Sequence, residues 1–181
     1  MWIARALFLS LLITAPAIAQ QITGEQVRTA IDKARQYLLA TQGAGGRWSD
    51  HGMPGGTTAL ATLALLNAGV SPQDPQMQAA IAAVRQIPLA NTYVVSLKAQ
   101  ALAAADPQRH LNQIKAAADW LAQAQQANGM WGYGLVGQRT DFSNSQFALL
   151  GLHEAARAGV HINAAVWTRT RQAYVNSQNN D

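Results

Sequence analysis

The chain of 181 residues contains no cysteine. That excludes disulfides, a thiolate nucleophile, a Cys-ligated zinc and an internal thioester. Packing alone must hold the fold, and roughly 160 residues can build a sufficient core. Charge is scarce too, since Asp, Glu, Lys and Arg together make up 12% of the residues. The net charge of +4 is scattered without any run of Lys or Arg, so no nucleic-acid partner is expected. The nine carboxylates never lie closer than seven positions apart, so there is no acidic cluster. The four histidines never pair at i, i+4, which leaves no helical metal site. Neither a G-x-S-x-G turn nor a phosphate loop occurs. No metal and no cofactor is expected.

Long hydrophobic runs are also missing. The apolar stretch Ala6 to Ile13 is too short for a membrane-spanning helix, which needs about 20 residues. Arg5 precedes it and Ala17-Ile18-Ala19 follows, which is the layout of an export signal with an A-x-A cleavage site. Residues 1–19 are therefore expected to be a signal peptide and residues 20–181 the mature domain. That chain would be periplasmic or secreted, with no stable membrane span after cleavage.

What is present is repetition. Gln42-Gly43-Ala44-Gly45-Gly46-Arg47-Trp48 recurs as Gln125-Gln126-Ala127-Asn128-Gly129-Met130-Trp131, and both copies fit Q-x-x-x-G-x-W. Gln and Trp are each displaced by 83 positions between the copies. A third start at Gln178-Asn179-Asn180-Asp181 stops with the chain. A fixed phrase at a fixed helical context marks a repeat architecture.

Around the phrase, every segment reads as helix, loop or turn. Thr23 and Gln26 form a capping box, and Val27, Ile31, Ala34 and Leu38 then share one face up to Gln42. Asp74-Pro75 opens a second amphipathic helix with Met77, Ala80, Ile81 and Val84 inward. Asp106-Pro107 is expected to open a third over Gln108 to Gln126, and Asn163 to cap a fourth. Between these lie segments that are almost wholly apolar: Thr57 to Ala68, Asn91 to Ala105 and Phe147 to Ala158. A second capping box, Ser143 with Gln146, is expected to start the last of them. An apolar helix needs neighbours on all sides and an amphipathic one on one side only. Two layers of antiparallel hairpins satisfy both, with the apolar helices inside. The fold class is all-α, with about seven helices.

The paired Q-x-x-x-G-x-W phrases, the alternating helix types and the stretch Thr58-Ala59-Leu60-Ala61-Thr62-Leu63-Ala64-Leu65-Leu66 resemble the prenyltransferase and squalene-cyclase repeat superfamily. The resemblance covers residues 22–181 and looks most like exported bacterial members of unassigned function. It implies antiparallel hairpins in an α/α toroid, here a partial one. It also implies that Gln42, Gln125, Trp48 and Trp131 tie the end of one outer helix to the next. The departures are informative. Squalene cyclases protonate substrate with a D-x-D-D motif, and none exists here. Protein prenyltransferases hold zinc with Asp, Cys and His, and cysteine is absent. A full toroid has about six hairpins, so the chain is expected to be truncated at its C-terminal side.

Three groups of residues are candidates for function. Trp48, Trp131 and Tyr133 offer aromatic surface to an apolar or sugar ligand, with helix-junction packing as the competing role for the two tryptophans. Asp50 and His51 share a glycine-rich loop and could do acid–base work, since a carboxylate can orient an imidazole. Asp141, Asn144 and Gln146 open an apolar helix, where they face either a ligand or the helix end itself. His153 is expected to be a hydrogen-bonded core histidine, and His110 and His161 to be exposed. The leading expectation is an exported non-catalytic scaffold or ligand-binding module. The alternative is a terpene-cyclase or prenyltransferase-type enzyme acting on an isoprenoid, with Asp50, His51 and Asp141 as its polar groups. A weaker alternative is a polysaccharide lyase on a similar toroid, which would need clustered Asp and Arg around calcium. The candidate ligand is an apolar or isoprenoid small molecule. Open apolar faces call for a homodimer or a missing C-terminal half.

Overall fold

The computed structural model describes residues 22–50, 52–135 and 139–178. The proposed signal peptide, His51 and Asn179 to Asp181 lie outside the described residues. The described chain is all-α, with seven α-helices. These are α1 (Gly24–Thr41), α2 (Gly56–Asn67), α3 (Pro75–Arg85), α4 (Thr92–Ala105), α5 (Leu111–Ala124), α6 (Phe142–Arg157) and α7 (Ala164–Asn176). None of the described helices is long and apolar enough to cross a membrane.

Local sequence signals set most of the starts. Thr23 and Gln26 form the reciprocal box at α1, Asp74 accepts from the backbone N–H of Gln76 and Met77 ahead of Pro75, and Asn163 accepts from Ala165. Two starts differ from the sequence expectation. The Asp106 carboxylate accepts from Arg109 N at 3.0 Å and holds a turn, so α5 begins only at Leu111. At α6 the N-cap is Asp141 rather than Ser143. A carboxylate at the positive helix end is a stronger acceptor than a hydroxyl. Ser143 Oγ itself donates to Asp141 at 2.9 Å, and Gln146 is left exposed.

Helix α4 is the centre of the molecule. It packs against α2, α3, α5 and α6, and ten of its fourteen residues are buried. α2 and α6 flank it, forming an inner row. Only α4 meets the expectation of burial on all sides. α2 leaves Leu60 45% exposed, and α6 leaves Phe142 and Leu150 51% and 42% exposed. Among the described helices, each of these two has an inner neighbour on one side only. α1 departs further. None of its residues is buried, and Val27 and Ile31 of its expected inward face are exposed. Only Leu38 and Leu39, near its end, join the cluster of Trp48, Ala61, Leu65, Met77 and Ala80.

The repeated phrase builds the same latch twice. The indole N–H of Trp48 donates to Leu38 O at 3.0 Å, and that of Trp131 to Leu121 O at 2.7 Å. Both acceptors are among the last four carbonyls of an outer helix, which have no partner within the helix. Gln42 Nε2 reaches forward to Gln76 O in α3, and Gln125 Nε2 to Val166 O and Thr170 Oγ1 in α7. Between Gln and Trp the glycine lets two backbones touch. Gly46 has φ +74°, and a Cβ there would lie 2.2 Å from the carbonyl carbon of Ala79. Gly129 has φ +81°, and its Cβ would lie 2.4 Å from the carbonyl oxygen of Arg169. Only glycine meets both demands. The phrase is absent between α3 and α4. There buried Lys98 of α4 donates to Arg85 O at 3.0 Å and Ile87 O at 2.6 Å, closing the end of α3. Burial pushes the Lys98 ammonium below its ordinary pKa.

Candidate functional site

The inner helices run parallel. The starts of α4 and α6 meet the loop before α2 in one groove, lined by Met53, Tyr93, Tyr133, Ser143, Asn144 and Phe147, with a volume of about 250 Å³. Their other ends meet in a second groove of about 420 Å³, lined by Leu63, Leu66, Asn67 and Gln100 with the Glu154–Arg157 ion pair. The first groove holds two of the candidate residues, Tyr133 and Asn144, and borders a third, Asp141.

This groove is built from the first turns upward. Asn91 caps α4, accepting from Val94 N at 3.3 Å, and puts Tyr93 at the groove. Buried Thr92 grips the loop opposite. Its N–H donates to Tyr133 O at 2.9 Å and its hydroxyl to Gly132 O at 2.6 Å. Tyr133 is thus held by its backbone while the residue as a whole stays 45% exposed. Tyr93 and Phe147 meet edge to face, with ring centroids 4.5 Å apart. Ser96 Oγ donates to Phe147 O and joins α4 to α6 beneath them. A backbone bridge, Asp141 N to Trp131 O at 3.1 Å, fixes α6 to the second latch. Trp131 N in turn donates to Ser145 Oγ at 3.0 Å.

The two described candidate acids are engaged in helix ends. Asp50 accepts from Gly55 N at 2.8 Å and Thr57 N at 3.3 Å, at the start of α2. Asp141 accepts from Asn144 N at 2.7 Å and Asn144 Nδ2 at 2.8 Å as well as from Ser143. Burial works against the Asp141 charge, but the hydrogen bonds from Asn144 and Ser143 outweigh it and hold the carboxyl below its ordinary pKa. Asp141 is therefore ionised at neutral pH.

The remaining candidates lie elsewhere. Trp131 is fully buried and Trp48 is 7% exposed, so their rings are enclosed by the latches and line neither groove. Gln146 lies in a different hollow, with Leu149, Leu150, His153, Trp167 and Tyr174 between α6 and α7. His153 is exposed there rather than in the core, because among the described helices no further inner helix lies on the outer flank of α6. His110 is buried rather than exposed, and burial together with Arg85 and Arg109 keeps its pKa below the ordinary histidine value. Among the described residues no three of His, Asp and Glu converge as a metal site would require.

Tyr93, Phe147 and Met53 are groove residues that the sequence reading did not single out. Tyr93 carried a usable signal, since it stands in the first turn of an inner helix, as Ser143 and Asn144 do. Comparison of the chain with protein-family models, with curated proteins and with solved structures gives no match.

Proposed function

We propose that this chain is an exported, non-catalytic repeat module of the prenyltransferase and squalene-cyclase type. It binds a small ligand in the groove between Tyr93, Tyr133 and Phe147. The observation that carries this reading is that both described candidate acids are engaged at helix starts, Asp141 as the N-cap of α6 and Asp50 by backbone N–H groups at the start of α2. A general acid must hold its proton near the working pH. Asp141 is held ionised by three donors, and Asp50 already accepts two backbone N–H groups. The groove, by contrast, has aromatic walls, a few polar groups and a firm backbone, which are the properties of a binding site. The partial toroid belongs to the same proposal. It is supported by the parallel inner row and by two copies of one latch. The free flanks of α2 and α6 would take further hairpins or a second copy of the chain.

The test is to incubate the mature protein with squalene and with a prenyl diphosphate and follow product by mass spectrometry. The expected result is no turnover. Turnover abolished by Asp50→Ala or Asp141→Ala, in variants shown to stay folded, would establish the enzyme alternative instead.

A further inference from the structure

We infer that the groove at the starts of α4 and α6 takes a neutral polyhydroxylated ligand, a saccharide unit stacked on Tyr133. The inference rests on the binding-module reading and narrows it to one ligand class. Three properties of the lining lead there.

The first is the absence of charge among the described residues of the wall. Met53, Tyr93, Tyr133, Ser143, Asn144 and Phe147 include no Lys, Arg, Asp or Glu. A diphosphate or a nucleic-acid strand needs cations to replace its water and counterions. The positive ends of α2 and α6 are met by the carboxylates of Asp50 and Asp141, and that of α4 by the amide oxygen of Asn91, so none is left open to an anion.

The second is the polar content of the wall. Four of the six lining residues carry a hydroxyl or an amide, but the Ser143 hydroxyl and the buried Asn144 amide already donate to Asp141, so the hydroxyls of Tyr93 and Tyr133 are the polar groups left for a ligand. A purely hydrocarbon ligand would strip water from those two hydroxyls and give nothing back. Sites that present hydrogen-bonding groups reject analogues without matching ones. Hydroxyl-rich ligands supply both donors and acceptors.

The third is the platform. A sugar ring offers an apolar C–H face and a polar rim, which matches an accessible aromatic ring beside hydroxyls. Tyr133 is that ring, and the two bonds from Thr92 to Gly132 and Tyr133 fix its backbone before any ligand arrives. Pre-ordering of this kind lowers the entropic cost of binding. The volume of about 250 Å³ lies below the range for enclosed drug-sized ligands, so the open groove suits one unit of a longer chain.

Calorimetric titration of the full mature chain, with amide chemical shifts followed in parallel, tests this. The probes are maltohexaose, cellohexaose, chitohexaose, farnesol and farnesyl diphosphate. Saturable binding of at least one oligosaccharide is expected, with shifts at Tyr93, Tyr133 and Asn144 and none from farnesyl diphosphate. Tyr133→Ala, in an exposed loop, should weaken binding about fivefold or more, by analogy with the loss on removing an aromatic ring from under a stacked base. Tyr133→Phe should keep most of it. Oligosaccharide binding unaffected by Tyr133→Ala would overturn the assigned site. Farnesol binding in the groove without oligosaccharide binding would overturn the ligand class while leaving the binding-module reading in place. No groove shifts with any probe would overturn both.

Discussion

Two neighbouring glycines separate the two reasons a latch needs glycine. Gly45 and Gly46 both sit at positive φ, +68° and +74°. An alanine at either position bears the left-handed backbone cost, about 1–2 kcal/mol. They differ in what a side chain would meet. A Cβ at Gly45 has nothing within 4 Å, whereas one at Gly46 would lie 2.2 Å from Ala79 C and 2.5 Å from Ala80 N. Those are backbone atoms in the second turn of α3, so the clash cannot be relieved by a rotamer change. The latch must open or α3 must shift. Overpacking costs of about 1–3 kcal/mol apply, toward the upper end here. Gly46→Ala should therefore destabilise by about 1–3 kcal/mol more than Gly45→Ala. For a domain of this size that is a further drop of roughly 2–12 °C in Tm. Urea unfolding of both variants, read by far-UV circular dichroism, measures the difference with the backbone term cancelled. Equal losses for the two variants would refute the close approach of the Gly46 backbone to α3 on which the latch rests.

Further expectations follow from the same contacts. Trp131→Phe leaves Leu121 O, a helix-end carbonyl, without its indole donor, and should cost about 1–3 kcal/mol in urea unfolding. Trp48→Phe should cost less, because Leu38 O also accepts from Thr41 Oγ1 at 3.2 Å. Equal and negligible losses would show that the tryptophans only fill space. His110 is held below its ordinary pKa, so on acidification the unfolded chain takes up this proton first. Its contribution is complete above about pH 6.5 and declines as pH falls from there toward the lower folded value. His110→Asn should remove that decline from a stability–pH profile measured between pH 7 and 5; an unchanged profile would contradict the buried neutral imidazole.

The sequence was most readable where structure is made locally. The capping box of Thr23 and Gln26, the Asp74-Pro75 start and the Asn163 cap need only neighbours a few positions away, and each forms as read. The doubled phrase was readable for another reason. Gln, Gly and Trp are each required by a different contact, so their spacing survives in both copies. Errors arose where two local options compete. Asp106 could cap a helix or hold a turn, and it holds a turn. Asp141 and Ser143 could each cap α6, and the stronger acceptor takes the place. The candidate groove was half legible. Tyr133 and Asn144 stand in marked segments, whereas Tyr93 and Phe147 lie 54 positions apart in chain and meet only when α4 packs on α6. The openness of α1 could not be read from its amphipathic pattern, because a pattern shows which face would be buried and not whether a neighbour exists to bury it.

The central claim is that the acids near the groove shape helix ends and do not transfer protons. The pH titration of the Asp141 carboxyl carbon by NMR addresses it directly. A capping carboxylate held by Asn144 and Ser143 should titrate below the ordinary aspartate value of about 3.9. A midpoint raised toward neutrality would mark a poised general acid and contradict the account.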